Sequence, residues 1–147
     1  MNITFCIPGD PQGKARPKVT RLKNGYSHTY TPDKTVAYEE LIRLRYCDAA
    51  DGFRFEAGKP LRMRVVAIFG IPKSKPKKTQ TAMKLNMIRP TKKPDFDNIF
   101  KIICDALNGI AYADDAQIVE AQISKIFTAS NVPRIEVEIC EIGGDPV

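Results

Sequence analysis

Two stretches of this 147-residue chain hold side chains whose types and spacing suit joint chemistry. The first is Lys93-Pro94-Asp95-Phe96-Asp97-Asn98-Ile99-Phe100-Lys101 and the second is Asp114-Asp115-Ala116-Gln117-Ile118-Val119. The first puts two carboxylates at the start of a helix, where the backbone dipole favours the ionised form. Asp97, Lys101, Asp105 and Asn108 follow at spacings of four, four and three, so they share one polar helix face. Lys101 lies one turn above Asp97, within reach of anything Asp97 binds. The second stretch brings an acidic pair from another element, adding directions that one helix lacks. A hard cation such as Mg²⁺ takes a few carboxylate oxygens and keeps several waters. Acidic groups converging inside a basic chain therefore point to a magnesium site suited to cutting a phosphodiester. Each feature also has a plain structural use: an Asp can cap a helix, Asp-Asp can make a turn, and Lys101 can pair with Asp97 or Asp105.

Elements on either side position these groups. Residues 96–108 read as a helix with Ile99, Ile102, Ile103, Ala106 and Leu107 on its core face and Gly109 as its stop. Residues 118–127 and 133–142 read as strands joined by a turn at Ala129-Ser130-Asn131. At the other end, 3–7 alternates as a first strand and stops at Pro8-Gly9-Asp10-Pro11, and Asn24-Gly25 predicts a hairpin between 19–22 and 26–30. Thr31 as N-cap and Pro32 at the first helical position open a helix to about residue 47. Its apolar stripe reads as Val36, Ala37, Leu41, Ile42 and Leu44, with Tyr38 at the margin. Residues 61–71 read as a strand that is covered on both faces in its second half. The sum is one α/β (α+β) domain over 1–147, a small mixed sheet of about four main strands packed with two principal helices.

The formal charge is +6, which favours an anionic partner, nucleic acid foremost. The basic residues are unevenly placed. Lys14, Arg16, Lys18 and Arg21 follow the first strand, and Lys73, Lys75, Lys77, Lys78, Lys84, Arg89, Lys92 and Lys93 occupy 73–93 with no acidic residue among them. With Pro72, Pro76 and Pro90 in or beside it, 73–93 reads as a flexible basic excursion with a helical turn near 82–87. Such residues orient a sugar-phosphate backbone without reading sequence. The four cysteines are scattered and His28 is the single histidine, which gives zinc little support. Cys6, Cys104 and Cys140 read as buried reduced thiols of a cytoplasmic protein, no signal peptide is expected, and no apolar run is long enough to span a bilayer.

The acidic motifs, with Lys101 and Asp105-Ala106-Leu107-Asn108-Gly109 between them, resemble the RusA family of Holliday junction resolvases. That family's pattern runs basic-x-D-x-D-N, then a helix bearing lysine and D-A-L, then D-D-x-Q-[IV]. The segment Ile7-Pro8-Gly9-Asp10-Pro11-Gln12-Gly13-Lys14-Ala15-Arg16-Pro17 is similar to phage- and prophage-type members. The resemblance implies that Asp95, Asp97 and Asp115 are catalytic and hold Mg²⁺, with Mn²⁺ able to substitute. It makes Lys101 the catalytic lysine and Asp114 a possible additional ligand. It further implies a homodimer placing paired nicks in a four-way DNA junction during recombination, repair or phage DNA processing, leaving 5′-phosphate and 3′-hydroxyl ends. Two other readings stay open: a nuclease for other branched DNA, and a non-catalytic basic nucleic-acid-binding module.

Overall fold

Alternating apolar residues create a sheet with one buried face. In the computed structural model, which describes residues 1–143, β1 (Asn2–Pro8) buries Ile3, Phe5 and Ile7 while Thr4 and Cys6 point the other way. β4 (Leu61–Phe69) buries Leu61, Met63, Val65 and Ala67 in the same alternation, and β6 (Arg134–Glu141) buries Ile135, Val137 and Ile139. With β5 (Ile118–Phe127) these strands form a mixed sheet in the order β1-β6-β4-β5. β6 runs antiparallel to both β1 and β4, and β4 and β5 are parallel. Val65 faces Val137 on one side and Ile123 on the other, so the central strand carries apolar partners in both registers. β5 and β6 are consecutive in sequence but not neighbours in space, because β4 lies between them. Their link instead crosses the end of β4, where the Thr128 N–H donates to the Phe69 carbonyl and the Thr128 hydroxyl oxygen accepts the N–H groups of Ser130 and Val132.

Two helices contribute to the buried core. α3 (Phe96–Leu107) buries Ile99, Ile102, Ile103, Ala106 and Leu107, the core face expected from periodicity. Cys104 is buried with them. It ends one residue earlier than expected, and Gly109, at φ +78°, takes the left-handed conformation that stops it. α1 (Asp33–Ala50) departs further from the reading of its sequence. Thr35, Tyr38, Ile42, Tyr46 and Ala50 are its buried residues, whereas Val36 is 41% and Leu44 58% exposed. The buried set follows spacings of three, four, four and four, so tyrosines supply the core track. A tyrosine body carries ample apolar surface if its hydroxyl is served. Tyr46 meets that condition by donating to the Phe53 carbonyl at 2.8 Å. Pro32, not Thr31, stands at the N-cap position, and no side chain caps the helix there.

The remaining elements are small. β2 (Lys18–Arg21) and β3 (Ser27–Tyr30) form the expected exposed hairpin. The helix in the basic segment is α2 (Lys77–Lys84), earlier and longer than the turn expected at 82–87. Met83 anchors it by burial, and Gln80 closes its entry by donating to the carbonyls of Lys73 and Lys75. Cys104 is buried as expected, but Cys6 and Cys140 are half-buried because they occupy the sheet face opposite the core. All four cysteines are free, and no helix among the described residues is long and apolar enough to cross a membrane.

Candidate active site

α3 and the loop after it place the chemically competent side chains. Asp95 occupies the N-cap position of α3 with extended backbone, yet its side chain makes no capping hydrogen bond. Its carboxylate is thus not spent on the use that usually explains an Asp there. Asp97 lies in the first turn and Lys101 one turn on, both exposed. Lys101 Nζ stands 3.9 Å from Asp105 Oδ2, a long pair on a side chain that is 62% exposed. Such a contact is weak and leaves the ammonium free to move to an anion.

The acidic pair divides its labour. Asp114 caps the short 3-10 turn Asp115–Gln117: its Oδ1 accepts the Ala116 N–H, and Gln117 Oε1 accepts the N–H groups of Asp114 and Ala113. Gln117 also donates to the carbonyls of Glu56 and Lys59, which fastens the turn to the body of the domain. Asp115 is held through its backbone, whose N–H donates to Asn108 Oδ1 at 3.1 Å, so its carboxylate has no capping task. Asp114-x-x-Gln117 has the spacing of a capping box, a sequence signal that the reading of the acidic pair as a turn or ligand set did not use. Asn108 was visible as part of the polar face of α3, although not as the residue that seats Asp115.

Asp97, Lys101, Asp105 and Asp115 line one cavity of about 490 Å³ between α3 and β5. Phe96, Phe100, Ile118 and Ile123 form its apolar wall, and Phe96 is 61% exposed. Asp95 is not among the described residues lining that cavity, and among the described residues no three His, Cys, Asp or Glu side chains stand close enough to hold a metal ion together. The expected set of Asp95, Asp97 and Asp115 is therefore only partly gathered: two line one cavity and the third stands at the helix entrance. Mutual repulsion of bare carboxylates favours such spacing. The carboxylates of Asp95, Asp97 and Asp115 make no salt bridges among the described residues, and their hard anionic oxygens suit a hard divalent cation by chemistry.

The electrostatics of the cavity are uneven. Burial raises the Asp115 carboxyl above its ordinary value, and the neighbouring Asp114 and Asp105 add to this while Lys101 opposes it. Burial also pushes the Cys104 thiol up to about 12. That thiol is neutral and serves neither as nucleophile nor as metal ligand near neutrality.

The basic residues separate into two groups. Arg16, Lys18, Arg21, Lys73, Lys75, Lys77, Lys78, Arg89, Lys92 and Lys93 are all exposed, as a backbone-contacting role requires. Arg89 also donates to the Lys125 carbonyl, and Lys92 lies over the Phe69 ring at 5.6 Å. Lys14 is different. Its ammonium bonds Glu39 of α1 and stands 3.3 Å from Asp105 of α3, and its side chain is only 20% exposed. Burial would lower its pKa, but the hydrogen bonds and charges of Glu39 and then Asp105 outweigh that and hold it above its ordinary value. The expectation that Lys14 is a free phosphate contact therefore does not match its place, since both carboxylates already occupy it.

The order of these elements, from the Pro8 turn to β6, matches a protein family along almost its whole length. The family model for endodeoxyribonuclease RusA covers residues 8–140. The chain belongs to the RusA family. A RusA-family chain is an endodeoxyribonuclease of the Holliday-junction-resolving class, and nucleases of this family work with a divalent metal. The mixed sheet with its helices is compatible with the RusA fold. Among similar proteins, uncharacterized protein YqaN of Bacillus subtilis (strain 168) is 35% identical over 144 residues, covering 95% of this chain and 96% of that one. The crossover junction endodeoxyribonuclease rusA of Lactococcus phage r1t is 35% identical over 89 residues, 60% of this chain and 60% of that one.

Proposed function

We propose that the chain resolves four-way DNA junctions by Mg²⁺-dependent paired nicking, with Asp95, Asp97 and Asp115 holding the cation and Lys101 acting on the scissile phosphate. The observation that carries this reading is the shared cavity: Asp97 and Asp115 of the proposed set line it from α3 and the following loop, together with Asp105 and the weakly tethered Lys101. Mg²⁺ held there, or Mn²⁺ in its place, supplies Lewis-acid charge and lowers the pKa of water so that hydroxide is available near neutrality. Lys101 stabilises the negative charge that grows on the phosphate oxygens during in-line attack. Asn108 holds the backbone of Asp115, so that carboxylate is oriented before DNA arrives. Cleavage of the P–O3′ bond leaves a 5′-phosphate and a 3′-hydroxyl.

Two nicks in opposing strands need two such sites, and each chain offers one. A homodimer on branched DNA follows from that requirement. The exposed lysines and arginines of 16–21 and 73–93 position the backbone without reading bases. Each phosphate contact contributes about 0.9 to the slope of log affinity against log salt. Changing Lys77 and Lys78 to alanine is therefore expected to flatten that slope by about 1–2 and weaken junction binding at low salt. An unchanged slope in a salt titration would remove α2 from the interface.

The deciding experiment is cleavage of a labelled synthetic four-way junction with Mg²⁺ or EDTA, beside linear duplex and flap controls. Symmetrical metal-dependent nicks confined to the junction are the expected result. Equal cutting of flaps would widen the substrate to other branched DNA. Tight binding without cleavage under any divalent metal would favour a binding module and overturn the catalytic reading.

A further inference from the structure

Lys14 sits where three elements meet, and nothing in the chemistry proposed above uses it. Its position is fixed by backbone before its side chain acts. The Lys14 N–H donates to the Asn98 carbonyl at 2.9 Å. Gly13 brings the loop so close to α3 that a Cβ there would lie 3.0 Å from both Asn98 Cβ and Pro94 Cβ. From this seat the ammonium joins Glu39 to Asp105, while Arg43 approaches the other oxygen of Glu39 at 3.9 Å.

Asp105 is the informative partner. A single oxygen, Asp105 Oδ2, lies 3.3 Å from Lys14 Nζ and 3.9 Å from Lys101 Nζ. The two lysines share one carboxylate, and the half-buried, tethered one is nearer. Lys101 is the exposed partner and the looser one. Without Lys14, Lys101 is the one remaining cation within 4 Å of Asp105 among the described residues. An opposite charge a few ångströms away in a partly desolvated pocket attracts far more strongly than one in water. Asp105 would then hold the Lys101 ammonium to its own carboxylate, leaving it less free for an anion in the cavity they both line.

We infer that Lys14 is a positioning residue for the cleavage step: by neutralising Asp105 it keeps the Lys101 ammonium available to the scissile phosphate. This rests on the nuclease reading, and it reassigns Lys14 from DNA contact to internal control of Lys101. Lys14 never touches the phosphate; it acts through Asp105.

The test is a double-mutant cycle on the full chain with the four-way junction and Mg²⁺. Lys14→Gln, which keeps donors toward Glu39 but loses the charge, is expected to lower kcat about tenfold with little change in KM. Lys14→Arg restores the charge and should recover most of the rate. In an Asp105→Asn background, Lys14→Gln should have almost no further effect, because no carboxylate is left to capture Lys101. Equal losses with and without Asp105→Asn would overturn the proposal. So would a raised KM with a salt slope about 0.9 shallower, since that is the behaviour of a direct phosphate contact. A second readout does not need activity: the ¹⁵Nζ resonance of Lys101 should shift in Lys14→Gln and return toward the parent position in the double variant. A Lys101 resonance indifferent to Lys14 would sink the proposal even if the parent cleaves. A parent that fails to cleave, with the resonance shift intact, would instead reject the nuclease reading and keep the coupling.

Discussion

Asp115→Asn is expected to abolish junction cleavage while making the protein more stable at neutral pH. The loss follows from removing a charged oxygen from the cavity it shares with Asp97 and Lys101; removal of one preorganised charge-stabilising group typically costs about 10²–10³ in rate. The gain follows from the raised pKa of its carboxyl, caused first by burial and then by Asp114 and Asp105. A carboxyl whose folded pKa lies above its unfolded value binds its proton more tightly when folded. Its contribution to stability is present below the unfolded pKa and is lost as pH rises through the folded one. At pH 7 the ionised Asp115 is thus a net burden on the apo fold, and asparagine relieves it. Thermal melts at pH 7 should place the variant above the parent, with the difference closing below the ordinary aspartate range. Added Mg²⁺ should raise the parent's Tm by mass action and leave the variant nearly unmoved. A variant less stable than the parent at pH 7 would mean that Asp115 serves the fold first.

The largest stability effect is expected from Ile103→Ala. Ile103 is fully buried on α3, within the core cluster that includes Ile42 of α1 and the sheet residues Val65 and Val137. Truncating such a residue removes transfer energy and leaves a cavity, together about 2–5 kcal/mol. Domains have about 5–15 kcal/mol in all, so at the middle of both ranges roughly a third of the stability is at stake. At about 2–4 °C per kcal/mol for a chain near this size, Tm should fall by roughly 5–20 °C. Cleavage per folded molecule, measured well below the new Tm, should remain close to the parent's, because no group of the cavity has been altered. A Tm within about 2 °C of the parent would contradict the close packing of α3 on the sheet.

The contrast between α3 and α1 explains what the sequence discloses. On α3 the apolar residues are isoleucine, leucine and alanine, and the polar ones fall on a separate face, so core and site could be read together. On α1 the buried track runs through Thr35, Tyr38 and Tyr46, while Val36 and Leu44 stand in solvent. Residue type alone points to the wrong stripe there: Tyr46 is served by a carbonyl outside the helix, that of Phe53, and Tyr38 is buried on the same track. Strand existence was legible from alternation, but order was not: the insertion of β6 between β1 and β4 is decided by pairing across the whole chain. In the site, the aspartates and Lys101 were readable as types at helical spacing. The division between Asp114 as cap and Asp115 as free carboxylate needed the hydrogen bonds of Gln117 and Asn108. Lys14 reads like the lysines around it by charge, and its two carboxylate partners come from helices far along the sequence, so the ion pairs were not legible.

The place of β6 also bears on when the sheet can close. During synthesis β1, α1, β4, α3 and β5 all emerge before it, and β4 can pair with β5, yet β1 joins the sheet only through the strand that comes last. A nascent chain that has already displayed both acidic motifs still lacks the central seam that holds β1 to the rest. Closure of the four-stranded sheet therefore waits until Arg134–Glu141 has cleared the ribosome, the last strand to be made being the one that joins the first to the rest.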